Sequence, residues 1–224
     1  MKRASHEPEL LDGPLDAELL AGNLRDLARV NRWLGGARLS EWAVAPFGLG
    51  AYVLSVLDVG TGGADIPVQL MCKGRSITAT DVRPEIVRAA QRNAAGRDIA
   101  VREGRIETEK TGSFDITHAS MVIHHLEPAE AVTFLREMAR VARQAVVIND
   151  LDRGRRWLLG AKAMTRALTR NEYTRNDAPL SVRRAYTIPE VVEMARQAGL
   201  RPVAKYTTRP AYRYALVFIR DAGD

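Results

Sequence analysis

The amino-acid sequence predicts an α/β fold: a doubly wound, mostly parallel, seven-stranded sheet with N-terminal helices before it and a small helical cap inserted late. Three observations predict it. Short β-branched apolar runs alternate with helical segments from Val53 onward, the pattern of a parallel sheet covered on both faces. The first run ends in Gly60-Thr61-Gly62-Gly63 and passes directly into a helix. The last two runs, Pro202 to Tyr206 and Tyr212 to Ile219, have no long helix between them and predict an antiparallel pair at the sheet edge.

Residues 1–14 hold acids, Pro8, Gly13 and Pro14 without periodicity and read as a flexible N-terminal tail. Residues 15–224 form one domain, because 224 residues that are 46% hydrophobic and 27% charged suit a single core. Residues 15–50 are a helical lead-in. From Asp16, Leu19, Leu20, Leu24, Leu27, Ala28 and Val30 recur at helical spacing until Gly35-Gly36, and a short second helix covers Leu39 to Ala45. Val53 to Val59 is strand one, followed by a helix over Ala64 to Cys72 and strand two over Ser76 to Thr80. Pro84 to Ala95 is a helix with proline at its first position, where a missing N–H costs nothing. Ile99 to Arg102, Phe114 to Ala119 and Ala145 to Asn149 are strands three to five, with a helix over Ala129 to Ala142. Residues 152–186 interrupt the alternation; Trp157, Ala161, Met164 and Leu168 lie at helical spacing, so this is the cap insertion. A helix capped by Thr187 and ended by Gly199 completes the pattern.

No apolar run approaches the roughly 18 residues of a membrane helix, and the start lacks the apolar stretch of a signal peptide. With a single cysteine, Cys72, no internal disulfide forms, and a cytoplasmic protein is expected. The net charge is +6 and the pI about 9.8, which raises a nucleic-acid partner. Against it, the arginines are dispersed and interleaved with acids, as in Arg25-Asp26 and Arg97-Asp98. A small-molecule substrate is expected instead, and the oligomeric state is left open.

Glycines at the end of strand one let the backbone turn tightly and approach a ligand at a helix N-terminus. A tight turn without a ligand would use the same residues. Asp81, 21 residues beyond Gly60 at the end of strand two, strengthens the ligand reading, because a carboxylate there accepts from both ribose hydroxyls of an adenosine cofactor. The dinucleotide fingerprint needs Gly or Ala three residues past its second glycine, where this chain has Asp65. Hydride transfer is therefore disfavoured.

The segments VLDVGTGGADIP, ATDVRPEIVRAA, SFDITHASMVIHHLEP and LREMARVAR resemble, in order and spacing, the successive motifs of class I S-adenosylmethionine-dependent methyltransferases, which have a Rossmann-like sheet. The lead-in NRWLGGARLSEW is similar to the segment preceding the core in ubiquinone and menaquinone C-methyltransferases, the UbiE/Coq5 group. PLSVRRAYTIPEV resembles small-molecule methyltransferases of bacterial biosynthetic clusters. The resemblance implies S-adenosylmethionine as cofactor. It implies that Asp58, Gly60 and Gly62 wrap the methionine end, Asp81 takes the ribose, Val82 and Ile106 cover the adenine faces, and Ala119 offers backbone groups to the amino-acid end. Arg32 is placed to pair with the cofactor carboxylate, or is an ordinary helix-surface arginine. Many relatives carry an acid where this chain has Arg105, so adenine is recognised differently here.

Methyl transfer to a hydroxyl requires alignment and a base, for which histidine is suited near neutral pH. His118, His124 and His125 lie at or just beyond the end of strand four, expected to face the crevice, and Asp150 ends strand five. The catalytic assignment is His124 as base with Asp150 as partner and His125 as alternative base; helix capping by Asp150 and Asp152 is the competing reading. No metal is assigned, although Asn149, Asp150 and Asp152 would suit Mg²⁺. Ala119-Ser120-Met121-Val122 lacks the Pro-Pro-aromatic segment of amino methyltransferases acting on bases, and Cys72 is misplaced for cytosine C5 chemistry. The cap would present Trp157, Met164 and Leu168 to an aromatic or acyl group, with Arg183, Arg184 and Tyr186 meeting polar substituents. The expected function is O-methylation of an aromatic or polyketide-like hydroxyl. C-methylation of a quinol ring, an RNA-directed methyltransferase and a non-catalytic cofactor-binding protein are the alternatives.

Overall fold

The computed structural model describes residues 1–5, 7–48, 52–72, 74–208, 210 and 212–221. Residues 49 and 50, the end of the expected lead-in, and the last residues of the domain lie outside them. The described elements run α1 (Ala17–Trp33), α2 (Gly36–Val44), β1 (Leu54–Val59), α3 (Asp65–Leu70), β2 (Arg75–Asp81), α4 (Pro84–Ala94), β3 (Ile99–Glu103), β4 (Phe114–Ser120), α5 (Pro128–Val141), β5 (Ala142–Leu151), α6 (Arg155–Leu168), α7 (Glu172–Arg184), α8 (Ile188–Gln197), β6 (Leu200–Thr207) and β7 (Arg213–Arg220). The strands form one seven-stranded sheet in the order β3-β2-β1-β4-β5-β7-β6, parallel except for β7, which is antiparallel to both neighbours. This is the doubly wound, Rossmann-like architecture that the sequence predicts.

Two-residue alternation sorts the strand side chains between two cores. Val56, Ile116, Val147 and Val217 pack against α2 and α3, while Leu57, Val146, Ile148 and Phe218 pack against α5 and α8. Helix starts follow local chemistry: the Asp16 carboxylate accepts from the N–H groups of Glu18 and Leu19, and Thr187 and Glu190 form a capping box at α8. Pro202 is accommodated because β6 is an edge strand with a register shift there. Among the described residues, no helix is long and apolar enough to cross a membrane.

Strand order reverses between β2 and β4 on either side of β1. The parallel strands end on one edge, which brings Gly60, Asp81, Ser120 and Asp150 around the crevice where ligands bind in open α/β sheets. The cap contains two helices, α6 and α7, rather than one; Asn171 caps α7 by accepting from the Thr174 N–H. Residues 1–5 and 7–14, expected as a loose tail, pack along α7 and over the loop after β4. Arg3 donates to the carbonyls of Arg184 and Leu126, both at 2.7 Å, and the Asp177 carboxylate accepts from the N–H groups of Leu10 (2.8 Å) and Leu11 (3.1 Å).

Candidate active site

The turn after β1 exists because three residues adopt left-handed backbone: Gly60 (φ 68°), Gly62 (φ 55°) and Ala64 (φ 56°). A Cβ on Gly60 would lie 2.6 Å from Val122 Cγ2, so glycine also permits the close approach of the loop after β4. Around the Cβ position of Gly62 there is open space. Asp81 accepts from the Gly62 N–H (3.1 Å) and the Arg83 N–H (3.2 Å). Burial raises its carboxyl above the usual range, a rise moderated by those same N–H groups. Asp81 thus braces the glycine loop from the end of β2. Val82 is half exposed and leaves an apolar surface beside it, whereas Ile106 is buried in the α5/α8 core and Ala119 is buried within β4.

Other expected cofactor residues have different surroundings. Asp58 is buried and shares a 2.5 Å hydrogen bond with His118 Nδ1, while His118 Nε2 meets Ser40 Oγ at 2.8 Å. His118 is 0% exposed, so it ties β4 to α2 instead of facing the crevice as expected. The network continues through Asn149, which donates to Ser40 Oγ (2.7 Å), to Arg213, whose Nε donates to Asn149 Oδ1 at 2.6 Å. Arg213 also donates to Asn31 Oδ1 and Ser120 Oγ, and Asn31 Nδ2 donates to Asp65 at 2.8 Å. Arg32 is exposed on α1; its neighbour Asn31 is the inward residue.

His124 and Asp150 come together. His124 stands on a short turn after β4, which the left-handed Met121 (φ 60°) redirects over the sheet edge, and its Nδ1 lies 2.8 Å from Asp150 Oδ1. Both are 1% exposed. Burial alone would push the Asp150 carboxyl up, but the His124 charge and hydrogen bond, the Leu151 N–H and Arg213 together hold it below the usual range. Among the described residues, His124 Nε2 has no hydrogen-bond partner. Asn149, Asp150 and Asp152 do not share a metal site: alternation sends Asn149 to the α2 face, where Arg213 occupies its oxygen, while Asp150 points to His124.

Glu9, unforeseen in the sequence, is the nearest acid to that free nitrogen, with Oε1 3.8 Å from His124 Nε2. It is 4% exposed, and burial pushes its carboxyl up to about 7 against the opposing pull of His125, the Ser181 hydroxyl and Arg184. The expected substrate contacts Arg183, Arg184 and Tyr186 instead hold the N-terminal segment and the loop beneath it. Arg183 pairs with Glu7, Arg184 with Asp12 and the His125 carbonyl, and the Tyr186 hydroxyl donates to the Leu126 carbonyl.

Over His124 lies a cavity of about 390 Å³, enclosed by α1, α6, α7 and the N-terminal segment. Its wall is mostly apolar, with Leu27, Val30, Met121, Trp157, Met164 and Val182, and carries Glu9, His124, Asn31 and Arg213 as polar points. Leu168, expected beside Trp157 and Met164, is 73% exposed and takes no part.

A doubly wound sheet with a glycine turn and an acid at adjacent strand ends defines an adenosine-cofactor fold. Residues 56–145 match the family model described as a methyltransferase domain. Over these residues, less than half of its length, the chain is similar to a methyltransferase domain. Among curated relatives, a ubiquinone biosynthesis O-methyltransferase of Xanthomonas oryzae pv. oryzae (strain PXO99A) is 30% identical over 94 residues, 39% of this chain and 38% of that protein. The chain thus matches well under half the length of this relative. Similar solved structures include a SAM-dependent methyltransferase from Aquifex aeolicus (TM-score 0.63, 19% identity, 92% of this chain and 98% of the other). Magnesium protoporphyrin IX methyltransferase from Synechocystis PCC 6803, solved with SAH, gives 0.64 and 18% over 94% of this chain and 90% of the other. An O-methyltransferase from neocarzinostatin biosynthesis, solved with SAM and a hydroxynaphthoic acid, gives 0.67 and 19% over 92% of this chain and 59% of the other.

Proposed function

We propose that this chain transfers a methyl group from S-adenosylmethionine to a hydroxyl of a small aromatic or polyketide-like acceptor, with His124 as the base and Asp150 as its partner. The observation that carries this reading is the buried His124–Asp150 pair at the wall of an apolar cavity, with Nε2 unbonded among the described residues. The open space beside Gly62, the braced carboxylate of Asp81 and the half-exposed Val82 suit an adenosine group with its ribose on Asp81. The donor supplies an electrophilic methyl group on a positively charged sulfur. Trp157, Met164 and Val182 exclude water and orient the acceptor ring. His124 Nε2 receives the hydroxyl proton, while Asp150 fixes the Nδ1–H tautomer and stabilises the imidazolium that forms.

The test is turnover of a panel of phenols, hydroxynaphthoic acids and quinols, read as S-adenosylhomocysteine formation. His124→Ala is expected to lose about 10²–10⁴-fold in kcat; full turnover by this variant on an accepted substrate overturns the base assignment. Carbon methylation of a quinol begins with the same deprotonation and is favoured by the lead-in resemblance. Product NMR distinguishes a new O-methyl from a ring methyl.

A further inference from the structure

His124 is 1% exposed on the cavity wall, so with the acceptor filling the cavity the proton it receives has no direct path to water. Around it the titratable groups stand in series. Glu9 Oε1 is 3.8 Å from His124 Nε2, and the other carboxyl oxygen, Oε2, is 3.8 Å from His125 Nε2. The His125 side chain is 30% exposed and its Nδ1 lies 3.4 Å from Asp12 Oδ1. The two imidazoles stack with centroids 4.2 Å apart and a tilt of 34°. One polar atom from each of Glu9, His124 and His125 lies within 4.8 Å of the other two, so the three side chains form one contiguous cluster.

We propose that Glu9 and His125 form a proton exit route that returns His124 to its neutral form after each turnover. This rests on His124 acting as the base. As the acceptor O–CH₃ bond forms and the S–CH₃ bond breaks, the hydroxyl proton moves to His124 Nε2. A side-chain movement of about 1 Å brings the Glu9 carboxylate within hydrogen-bond reach of the imidazolium, whose proton it takes on Oε1; the carboxyl group then turns about its Cγ–Cδ bond to give that proton to His125 Nε2, and His125 gives it to water. One proton leaves per methyl transferred, and each relay group ends as it began. Glu9 faces His124 and His125 on the loop after β4, Asp177, Ser181 and Arg184 on α7, and Asp12 on its own segment. Burial balances its carboxyl at about 7, so it can take and give a proton near neutral pH. The N-terminal segment, held down by Arg3, thereby supplies part of the proton-handling machinery.

Two measurements on the full chain test this. In ¹⁵N-histidine-labelled protein without acceptor, Glu9→Gln is expected to slow solvent exchange of the His124 ring proton at least tenfold, and His125→Gln, changed at a partly exposed position, to slow it as well. Unchanged exchange in both variants overturns the route. With an acceptor from the panel, rapid-quench kinetics of Glu9→Gln are expected to keep the first-turnover rate while the steady-state rate falls at least tenfold, with an enlarged solvent deuterium isotope effect. Equal steady-state rates in wild type and Glu9→Gln overturn the relay even if exchange slows. By contrast, a His124→Ala variant with full turnover would refute the base assignment on which the relay depends.

Discussion

Replacing Asp150 by asparagine keeps the shape of its pair with His124 and removes the charge. The two side chains are 2.8 Å apart and each is 1% exposed, so the carboxylate stabilises an imidazolium with little solvent screening. Removing one partner of such a buried pair costs about 3–5 kcal/mol, and an asparagine oxygen recovers part of this by accepting a neutral hydrogen bond. About 2–4 kcal/mol is then lost where the imidazolium forms, which lowers kcat roughly 30- to 1000-fold. Asp150 does not line the cavity, so KM for the acceptor is expected to stay near the wild-type value. The assay is initial-rate release of S-adenosylhomocysteine for wild type, Asp150→Asn, His124→Ala and the double variant, with the double no worse than His124→Ala alone. The acid side supplies a second readout. Because the folded protein holds Asp150 below its ordinary value of 3.8, the pair stabilises the fold above that pH, and the contribution fades as pH falls through the lowered value. Asp150→Asn therefore loses stability at neutral pH and shows a flatter acid limb. A variant with wild-type kcat beside a crippled His124→Ala would refute the dyad.

Glu9 has the opposite sign. Its carboxyl is raised from 4.5 to about 7, so the folded state holds the proton more tightly and stability declines between those pH values, by about 3 kcal/mol at about 1.4 kcal/mol per pH unit. Denaturant unfolding of Glu9→Gln across this range should lack that decline; curves parallel to wild type would contradict the assignment. Gly60→Ala places a Cβ 2.6 Å from Val122 Cγ2 at a left-handed position that itself costs about 1–2 kcal/mol. Melting temperature and S-adenosylmethionine affinity should both fall, and wild-type values for both would show that the turn is not constrained as described. Trp157→Ala removes an aromatic wall worth about 1.5–3 kcal/mol, so acceptor KM should rise roughly 10- to 150-fold with cofactor affinity unchanged. An unchanged KM would place the acceptor elsewhere.

Local signals carried the sheet and the cofactor turn into the sequence. Positive-φ glycines after β1 and an acid at the end of β2 are short-range features, and both stand at the crevice. His124 and Asp150 were legible because parallel strands end on one edge, which makes strand-end residues neighbours without knowledge of side-chain contacts. Long-range residues were not legible. Glu9 sits in a segment without periodicity, and its place is set by Asp177, Ser181 and Arg184 on α7. Arg213 begins an apolar strand and becomes intelligible only when Asn31, Ser120 and Asn149 converge on it. His118 shares its spacing with the site histidines, yet strand alternation turns it inward to Asp58 and Ser40. The second cap helix was hidden by polar residues from Thr169 to Asp177 and by Pro179 within α7.

Calorimetric titration of the protein with S-adenosylmethionine, compared between wild type and Asp81→Ala and with NADH as control ligand, tests the central claim most directly. The expected result is micromolar binding of S-adenosylmethionine alone. The variant should weaken it a hundredfold or more, since two hydrogen bonds to a charged carboxylate contribute about 3 kcal/mol or more. Absence of binding by wild type, or equal binding by Asp81→Ala, would contradict the cofactor site at the ends of β1 and β2.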